Sequence, residues 1–216
     1  MPVFRLTEKL IFPNPELADD DGLLAVGGDL SEDRLLLAYS MGIFPWYADD
    51  QPILWWSPDP RLVLIPAELK ISRSLRQTMK KGPFTIKMDT AFADVIRSCA
   101  EMRREGQQGT WITEEMIEAY IRLHHAGYAH SVESWQEGKL VGGLYGIALG
   151  KAFFGESMFA KKSSASKIAL VSLAEYLRAL DYSFIDCQVT TEHLKSLGAR
   201  EIPRSEFLRM LKGALG

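Results

Sequence analysis

Ala129-His-Ser-Val-Glu-Ser-Trp135, Lys139-Leu-Val-Gly-Gly-Leu-Tyr-Gly-Ile-Ala-Leu149 and Ala152-Phe-Phe-Gly-Glu-Ser-Met-Phe159 read as three β segments in quick succession. A turn at Gln136-Glu137-Gly138 joins the first two. A helix from about Ser164 to Leu180, a strand over 183–189 and two short helices complete the chain. Consecutive strands followed by a helix and a further strand predict an α+β fold with a mixed sheet.

Upstream of those strands the patterns alternate. Leu62–Ile65 suits a strand, and 67–81 suits a helix with Ile71, Leu75 and Met79 on one face. Phe84–Met88 suits a strand and 91–103 an amphipathic helix. Thr113 then caps another helix, with Glu114 and Glu115 at its positive end. Residues 1–60 have a different texture, holding seven of the ten prolines and three of the five tryptophans. Inside them Ser31 to Tyr39 reads as a short helix capped by Ser31. Ser57-Pro58-Asp59-Pro60 marks a junction, which predicts a small N-terminal domain over 1–60 and a larger one over 61–216.

The chain has 216 residues, 47% hydrophobic and 25% charged, values ordinary for a globular protein. Its net charge of −3 excludes a globally basic nucleic-acid binder, so any RNA contact must use a local patch. The longest apolar run, Leu140 to Gly150, falls short of the ~20 residues that cross a bilayer, and carries four glycines. The opening Met1-Pro2-Val3-Phe4-Arg5 lacks the regions of a signal peptide. Cys99 and Cys187 are too few for a disulfide framework, and Cys99 sits in an apolar helical pattern. A cytoplasmic protein without membrane contact is expected.

Four segments carry a family signature: Gly22-Leu-Leu-Ala-Val-Gly-Gly-Asp-Leu30, Gly42-Ile-Phe-Pro-Trp46 with Trp55-Trp-Ser-Pro-Asp-Pro-Arg61, Gly155-Glu-Ser-Met-Phe159, and Ile185-Asp-Cys-Gln188. His193-Leu and Ser196-Leu-Gly-Ala199 extend the last. In these segments and their order the chain resembles the leucyl/phenylalanyl-tRNA–protein transferases. It departs from them after Phe159, with Ala160-Lys161 and Ser164 where the family usually has Ser-Arg and then Asn. The resemblance implies a domain like the GCN5-related N-acyltransferases behind a smaller α/β domain. It also implies transfer of Leu, Phe or Met from aminoacyl-tRNA to the α-amine of proteins beginning with Arg or Lys, marking them for N-degron-dependent degradation.

That reaction is aminolysis of an ester that is already activated, so positioning two substrates and managing one proton are the main tasks. An α-amine of pKa about 7.7–8.0 is partly neutral at pH 7, whereas a lysine amine at about 10.4 is almost wholly charged. N-terminal acceptors are favoured on this ground alone. Asp186 and Gln188 lie two apart in a strand pattern, which predicts one shared face, with Ile185 and Cys187 on the other. Asp186 is expected to accept a hydrogen bond or proton from the amine. Gln188 is expected to orient the amine or polarise the carbonyl, as the resemblance implies.

Glu156 lies in an otherwise apolar strand, where a carboxylate is rarely left unpaired. Two readings stand level: contact with the acceptor's basic first residue, or an internal salt bridge. Leu144, Phe153, Met158, Leu170 and Ile185 are candidates by resemblance for an apolar donor pocket, although each also suits an ordinary core. Trp46 and Trp111 are candidates to stack on the terminal adenosine, whereas Trp55 and Trp56 fit structural packing.

Two rivals remain at this point. An acetyl-CoA-dependent N-acetyltransferase uses a Gly-rich turn to hold pyrophosphate, but Phe159-Ala-Lys-Lys-Ser-Ser-Ala-Ser-Lys167 has no glycine. A non-catalytic RNA-binding adaptor leaves Glu156, Asp186 and Gln188 without a reason. Cys187–His193 nucleophilic catalysis lacks a spacing that specifies contact. His124, His125 and His130 do not form a metal-ligand spacing, so neither metal nor organic cofactor is expected.

On a helical wheel Arg73, Arg76 and Lys80 fall opposite Ile71, Leu75 and Met79, with Lys81 beside them. A basic stripe is usually a solvated face, but in a net acidic chain this cluster is the best local phosphate site. Replacing Arg73, Arg76 and Lys80 by Gln is expected to weaken tRNA binding and to flatten its log–log salt slope by about 2 to 3, near 0.7–0.9 per charge. A filter-binding titration across salt concentrations reads this directly, and an unchanged slope removes the stripe from the interface.

Overall fold

The computed structural model describes residues 3–102 and 112–216. Its first part is a four-stranded sheet of β1 (Phe4–Leu6), β2 (Leu23–Gly27), β3 (Phe44–Pro45) and β4 (Leu54–Trp56), in the order β1-β2-β4-β3. Helix α1 (Glu32–Ser40) connects β2 to β3. Ser31 precedes the helix in extended conformation but makes no side-chain capping bond, so Glu32 and Asp33 in the first turn supply the favourable electrostatics there.

The larger part is built on a seven-stranded sheet. Its strands are β5 (Arg61–Leu64), β6 (Thr85–Met88), β7 (Ala129–Gln136), β8 (Lys139–Leu149), β9 (Ala152–Ala160), β10 (Phe184–Gln188) and β11 (Arg200–Ile202). They lie in the order β11-β5-β10-β9-β8-β7-β6. All pairings are antiparallel except β9 with β10, which helix α5 (Ala165–Ala179) connects. The expected α+β fold with a mixed sheet is therefore the fold observed.

Local chemistry explains the centre of this sheet. Glu137 and Gly138 both take positive φ between β7 and β8, as a tight two-residue hairpin turn demands. Glycines in β8 let neighbours approach: a Cβ on Gly142 would lie 2.4 Å from that of Ala165, at the start of α5. One on Gly146 would lie 2.2 Å from the Phe154 carbonyl oxygen. The glycine-rich run is thus a strand under a closely packed helix.

Helices cover both faces. α5 and α2 (Arg73–Lys80) enclose one core with Leu144, Phe153, Leu170 and Ile185. On the other face α3 (Phe92–Glu101), α4 (Glu114–His125) and α7 (Arg204–Leu215) pack around Tyr145, Phe154 and Phe184. This second core continues without a break into the N-terminal part, through Leu24, Tyr39, Phe44 and Trp55.

Two boundaries differ from expectation. The helix expected over 67–81 is shortened to Arg73–Lys80, because Pro66 opens a separate short turn and Ser72 caps the true start by accepting the Leu75 N–H at 3.2 Å. The end of the chain holds α6 (Glu192–Ser196), strand β11, and then a twelve-residue α7 rather than two short helices.

Where the two sheets meet, Arg61 and Asp186 form a buried bidentate ion pair. The Arg61 Nε and Nη2 donate to the two Asp186 carboxylate oxygens at 2.8 and 2.6 Å, with the side chains 1% and 0% exposed. The guanidinium lies 4.8 Å from the Phe44 ring centre of β3 and 4.5 Å from that of Phe207 in α7. Cation–π contact on two rings while both carboxylate oxygens are bound suits the flat, weakly hydrated guanidinium better than an ammonium. Asp186→Ala strands that charge and is expected to lower stability by about 3–5 kcal/mol. The paired change Arg61→Met with Asp186→Leu is expected to cost less than Asp186→Ala alone. Urea unfolding measures both, and a cost for Asp186→Ala within the ordinary surface range of about 0.5 kcal/mol contradicts this role.

Candidate active site

The ladder between β9 and β10 pairs Phe184, Ile185 and Asp186 with Ala152, Phe153 and Phe154, and no pair follows. Both strands are irregular at that point. On β9 the register against β8 shifts between Gly155 and Ser157, which leaves Glu156 as the extra residue. On β10 the register against β5 shifts between Asp186 and Gln188, leaving Cys187 extra, and Gln188 takes φ 62°. Bulges re-aim side chains and end pairing. Here they lie side by side, where the two parallel strands stop pairing.

A cavity of about 410 Å³ occupies this place. Leu144, Phe153, Met158, Leu170 and Ile185, the five expected pocket residues, all line it, as do Trp46, Glu156 and Gln188. Phe44, Pro45, Leu173, Cys187, His193 and Leu194 complete much of the wall. The volume lies within the range of small-molecule sites.

Asp186 departs from expectation. Strict alternation places it beside Gln188 on one face, but the bulge at Cys187 breaks the period, so Cys187 and Gln188 reach the cavity and Asp186 does not. Its Oδ1 accepts the Gln188 backbone N–H at 2.9 Å, and both oxygens accept from Arg61. Asp186 thus fixes the bulged turn that carries Gln188, and it has no free face for a substrate.

Glu156 also has no Arg or Lys partner among the described residues, so the internal salt bridge is not what holds it. Its Oε1 accepts from the Tyr39 hydroxyl at 2.8 Å and from Gln188 Nε2 at 2.9 Å, and its Oε2 accepts from the Tyr120 hydroxyl at 3.1 Å. The Tyr39 and Tyr120 hydroxyls also touch each other. Burial pushes the Glu156 carboxyl up to about 7, with the Asp186 charge adding to the rise and the three hydrogen bonds opposing it. Burial, then the Glu156 charge, pushes both tyrosines well above their usual range, so they stay donors.

Cys187 is a poor nucleophile here, since burial and then the Asp186 charge push its thiol up and disfavour the thiolate. His193 is lowered by burial and by Lys167. Trp46 lines the cavity half-buried, whereas Trp111 lies outside the described residues. Trp55 is fully buried with its indole N–H bonded to the Gly27 carbonyl, and Trp56 bonds the Trp46 carbonyl. Arg73, Arg76, Lys80 and Lys81 are exposed and do not line the cavity, but α2 packs on α5, which supplies Leu170 and Leu173 to its wall. Among the described residues no group of three or more His, Cys, Asp or Glu side chains is arranged to hold a metal ion.

Sequence reasoning missed three side chains in this network. Tyr39 and Tyr120 sit on amphipathic helices, where tyrosine reads as core. Arg61 closes a quoted motif but carries no sign of its buried partner.

The family described as leucyl/phenylalanyl-tRNA protein transferase matches residues 63–212, and its N-terminal domain matches residues 28–59. The chain belongs to the leucyl/phenylalanyl-tRNA–protein transferase family. A family member from Syntrophobacter fumaroxidans is 66% identical over 211 residues, covering 98% of this chain and 90% of the relative. One from Desulfatibacillum aliphaticivorans is 59% identical over 215 residues, covering 100% and 92%. Both are named leucyl/phenylalanyl-tRNA–protein transferases, and membership makes this chain an aminoacyltransferase. Among solved structures, the GCN5-related N-acetyltransferase from Kribbella flavida has a TM-score of 0.35 at 10% identity, covering 78% of this chain and 59% of that one.

The folded family member holds the Glu156 proton more tightly than its unfolded chain does. This residue's contribution to stability is therefore full below about pH 4.5 and is lost as the pH rises through about 7. Relative to Glu156→Gln, the unsubstituted protein is expected to lose on the order of 3 kcal/mol between pH 4.5 and 8. Urea unfolding at several pH values checks this, and parallel pH curves for the two proteins contradict it.

Proposed function

We propose that this chain transfers leucine, phenylalanine or methionine from aminoacyl-tRNA to the α-amine of proteins that begin with Arg or Lys. In this reading it acts in the cytoplasm and marks its acceptors for N-degron-dependent degradation. One observation carries the proposal: a largely apolar cavity at the end of the β9–β10 ladder with Glu156 and Gln188 in its wall.

The donor's side chain enters among Leu144, Phe153, Met158, Leu170 and Ile185, which places its ester carbonyl toward the polar wall. A pocket of this kind separates neighbours differing by one methylene by only ~1–3 kcal/mol, so several large apolar donors are tolerated. Trp46 offers a stacking face for the terminal adenine, and Trp111 is assigned the same task. The exposed stripe Arg73, Arg76, Lys80 and Lys81 meets the phosphates.

Gln188 orients the amine or polarises the carbonyl. Asp186 serves the reaction as a positioning residue through the backbone of Gln188. Glu156 is the carboxylate that meets the cationic end of the acceptor. The ester is already activated and the acceptor amine is partly neutral at pH 7, so the reading requires neither a metal nor an organic cofactor.

Incubation with labelled Leu-tRNA and a peptide beginning in Arg is expected to give leucylated peptide. Free leucine with ATP, and acetyl-CoA, are expected to give none. Label transfer from acetyl-CoA, or no transfer from the tRNA ester, overturns the proposal.

A further inference from the structure

Among the described residues three acidic side chains are buried in the larger part: Glu133, Glu156 and Asp186. Glu133 is committed to structure, since it accepts from Thr90 N–H and Oγ1, Ala91 N–H and Ser131 Oγ beside the start of α3. Asp186 is committed to Arg61 and to the Gln188 amide. Glu156 differs from both. It lies on the cavity wall at a bulge, and its three donors are neutral: two tyrosine hydroxyls and one carboxamide. Such donors hold a carboxyl group in place in either protonation state, whereas a bidentate guanidinium holds only the carboxylate.

We infer that Glu156 takes the proton from the attacking α-amine and delivers it to the departing ribose oxygen. The assignment rests on the transferase reading above and extends it from binding to proton transfer. The amine lone pair forms the new C–N bond at the ester carbonyl carbon. As the tetrahedral adduct collapses, the C–O bond to the tRNA ribose breaks. One amine proton passes to the Glu156 carboxylate and from there to the ribose oxygen, so the carboxylate is regenerated. An acceptor that arrives as ammonium first releases one further proton to solvent.

The electrostatics agree with this geometry. A carboxyl group near 7 lies close to the α-amine's own 7.7–8.0, the match that favours proton exchange at neutral pH. The groups facing it are Tyr39 from α1, Tyr120 from α4, and Gln188 and Asp186 from β10, with Tyr145 of β8 against Tyr120 and Arg61 behind Asp186. Only Asp186 among them carries a like charge, and Arg61 offsets it. The Asp186 role expected from the sequence thus moves one strand over, to the carboxylate that the cavity reaches.

The test is single-turnover transfer at saturating Leu-tRNA and Arg-peptide, followed from pH 5.5 to 9 with the full chain. Glu156→Gln is expected to slow the saturated step about 10²- to 10⁴-fold and to abolish the inflection near pH 7, with Leu-tRNA affinity and far-UV circular dichroism retained. The acceptor amine's own inflection at about 7.7–8.0 is expected to stay. His193→Gln is expected to keep the inflection near pH 7, which separates Glu156 from the histidine of the wall. Tyr120→Phe is expected to move that inflection upward, because one hydrogen bond that favours the charged form is lost. Formate is expected to restore part of the rate to Glu156→Ala.

A Glu156→Gln protein with an unchanged saturated rate and only a raised acceptor KM overturns the assignment and leaves Glu156 as a binding group. An inflection near pH 7, apart from that of the acceptor amine, that stays in Glu156→Gln or that His193→Gln removes overturns it as well. No transfer by the unsubstituted protein overturns the transferase reading itself, an outcome distinct from these.

Discussion

The buried Arg61–Asp186 ion pair ties the N-terminal sheet, the last helix and the centre of the large sheet to one another. Each charge costs several kcal/mol to bring out of water, and only close bidentate geometry with further partners offsets that. Those partners come from every part of the fold. Phe44 belongs to the small N-terminal sheet, Phe207 to the last helix, and Asp186 to a central strand of the large sheet. Arg61 stands at the first position of the strand that follows the Ser57–Pro60 segment. The pair therefore locks together elements far apart in sequence, in the continuous core that joins the two sheets.

Its functional consequence runs through the backbone. Asp186 holds the amide of Gln188 at a point where β10 has bulged and Gln188 sits in the left-handed region. That conformation disfavours a non-glycine residue and persists where its surroundings determine it. Gln188 in turn donates to Glu156, itself placed by the neighbouring bulge of β9. Two adjacent irregularities end the β9–β10 ladder, and the space where the strands stop pairing is the cavity. A regular sheet here would close the site.

Much of this was legible in the sequence because it follows from periodicity or from residue type. The three strands from Ala129 onward, helix α5 and the strand carrying Asp186 could be read from apolar patterning. The five apolar residues expected to form a donor pocket came from the family resemblance, Trp46 and Glu156 from residue type and setting, and Gln188 from strand spacing together with the resemblance; all eight line one cavity. The failures have separate physical causes. Period-two reasoning assumes an uninterrupted strand, so it could not place Cys187 at the cavity and Asp186 away from it. Tyr39 and Tyr120 look like core residues because in most respects they are, and only their hydroxyls reach Glu156. Arg61 shows nothing of its burial until the fold brings Asp186 to it. The apolar spacing over 67–81 runs past the start of α2, because residues after Pro66 form a separate short turn before Ser72 caps the helix.

In the proposed reaction two carboxylates divide the labour: Asp186 organises the site from behind, and Glu156 is the one that meets the substrates. A crystal structure with an aminoacyl-adenosine analogue, its ester replaced by an amide, tests this most directly. The analogue's side chain is predicted among Leu144, Met158, Leu170 and Ile185, with its carbonyl beside Gln188 and Glu156 and with Asp186 still paired to Arg61. An analogue bound elsewhere, or an Asp186 released from Arg61 and touching the aminoacyl group, would contradict it.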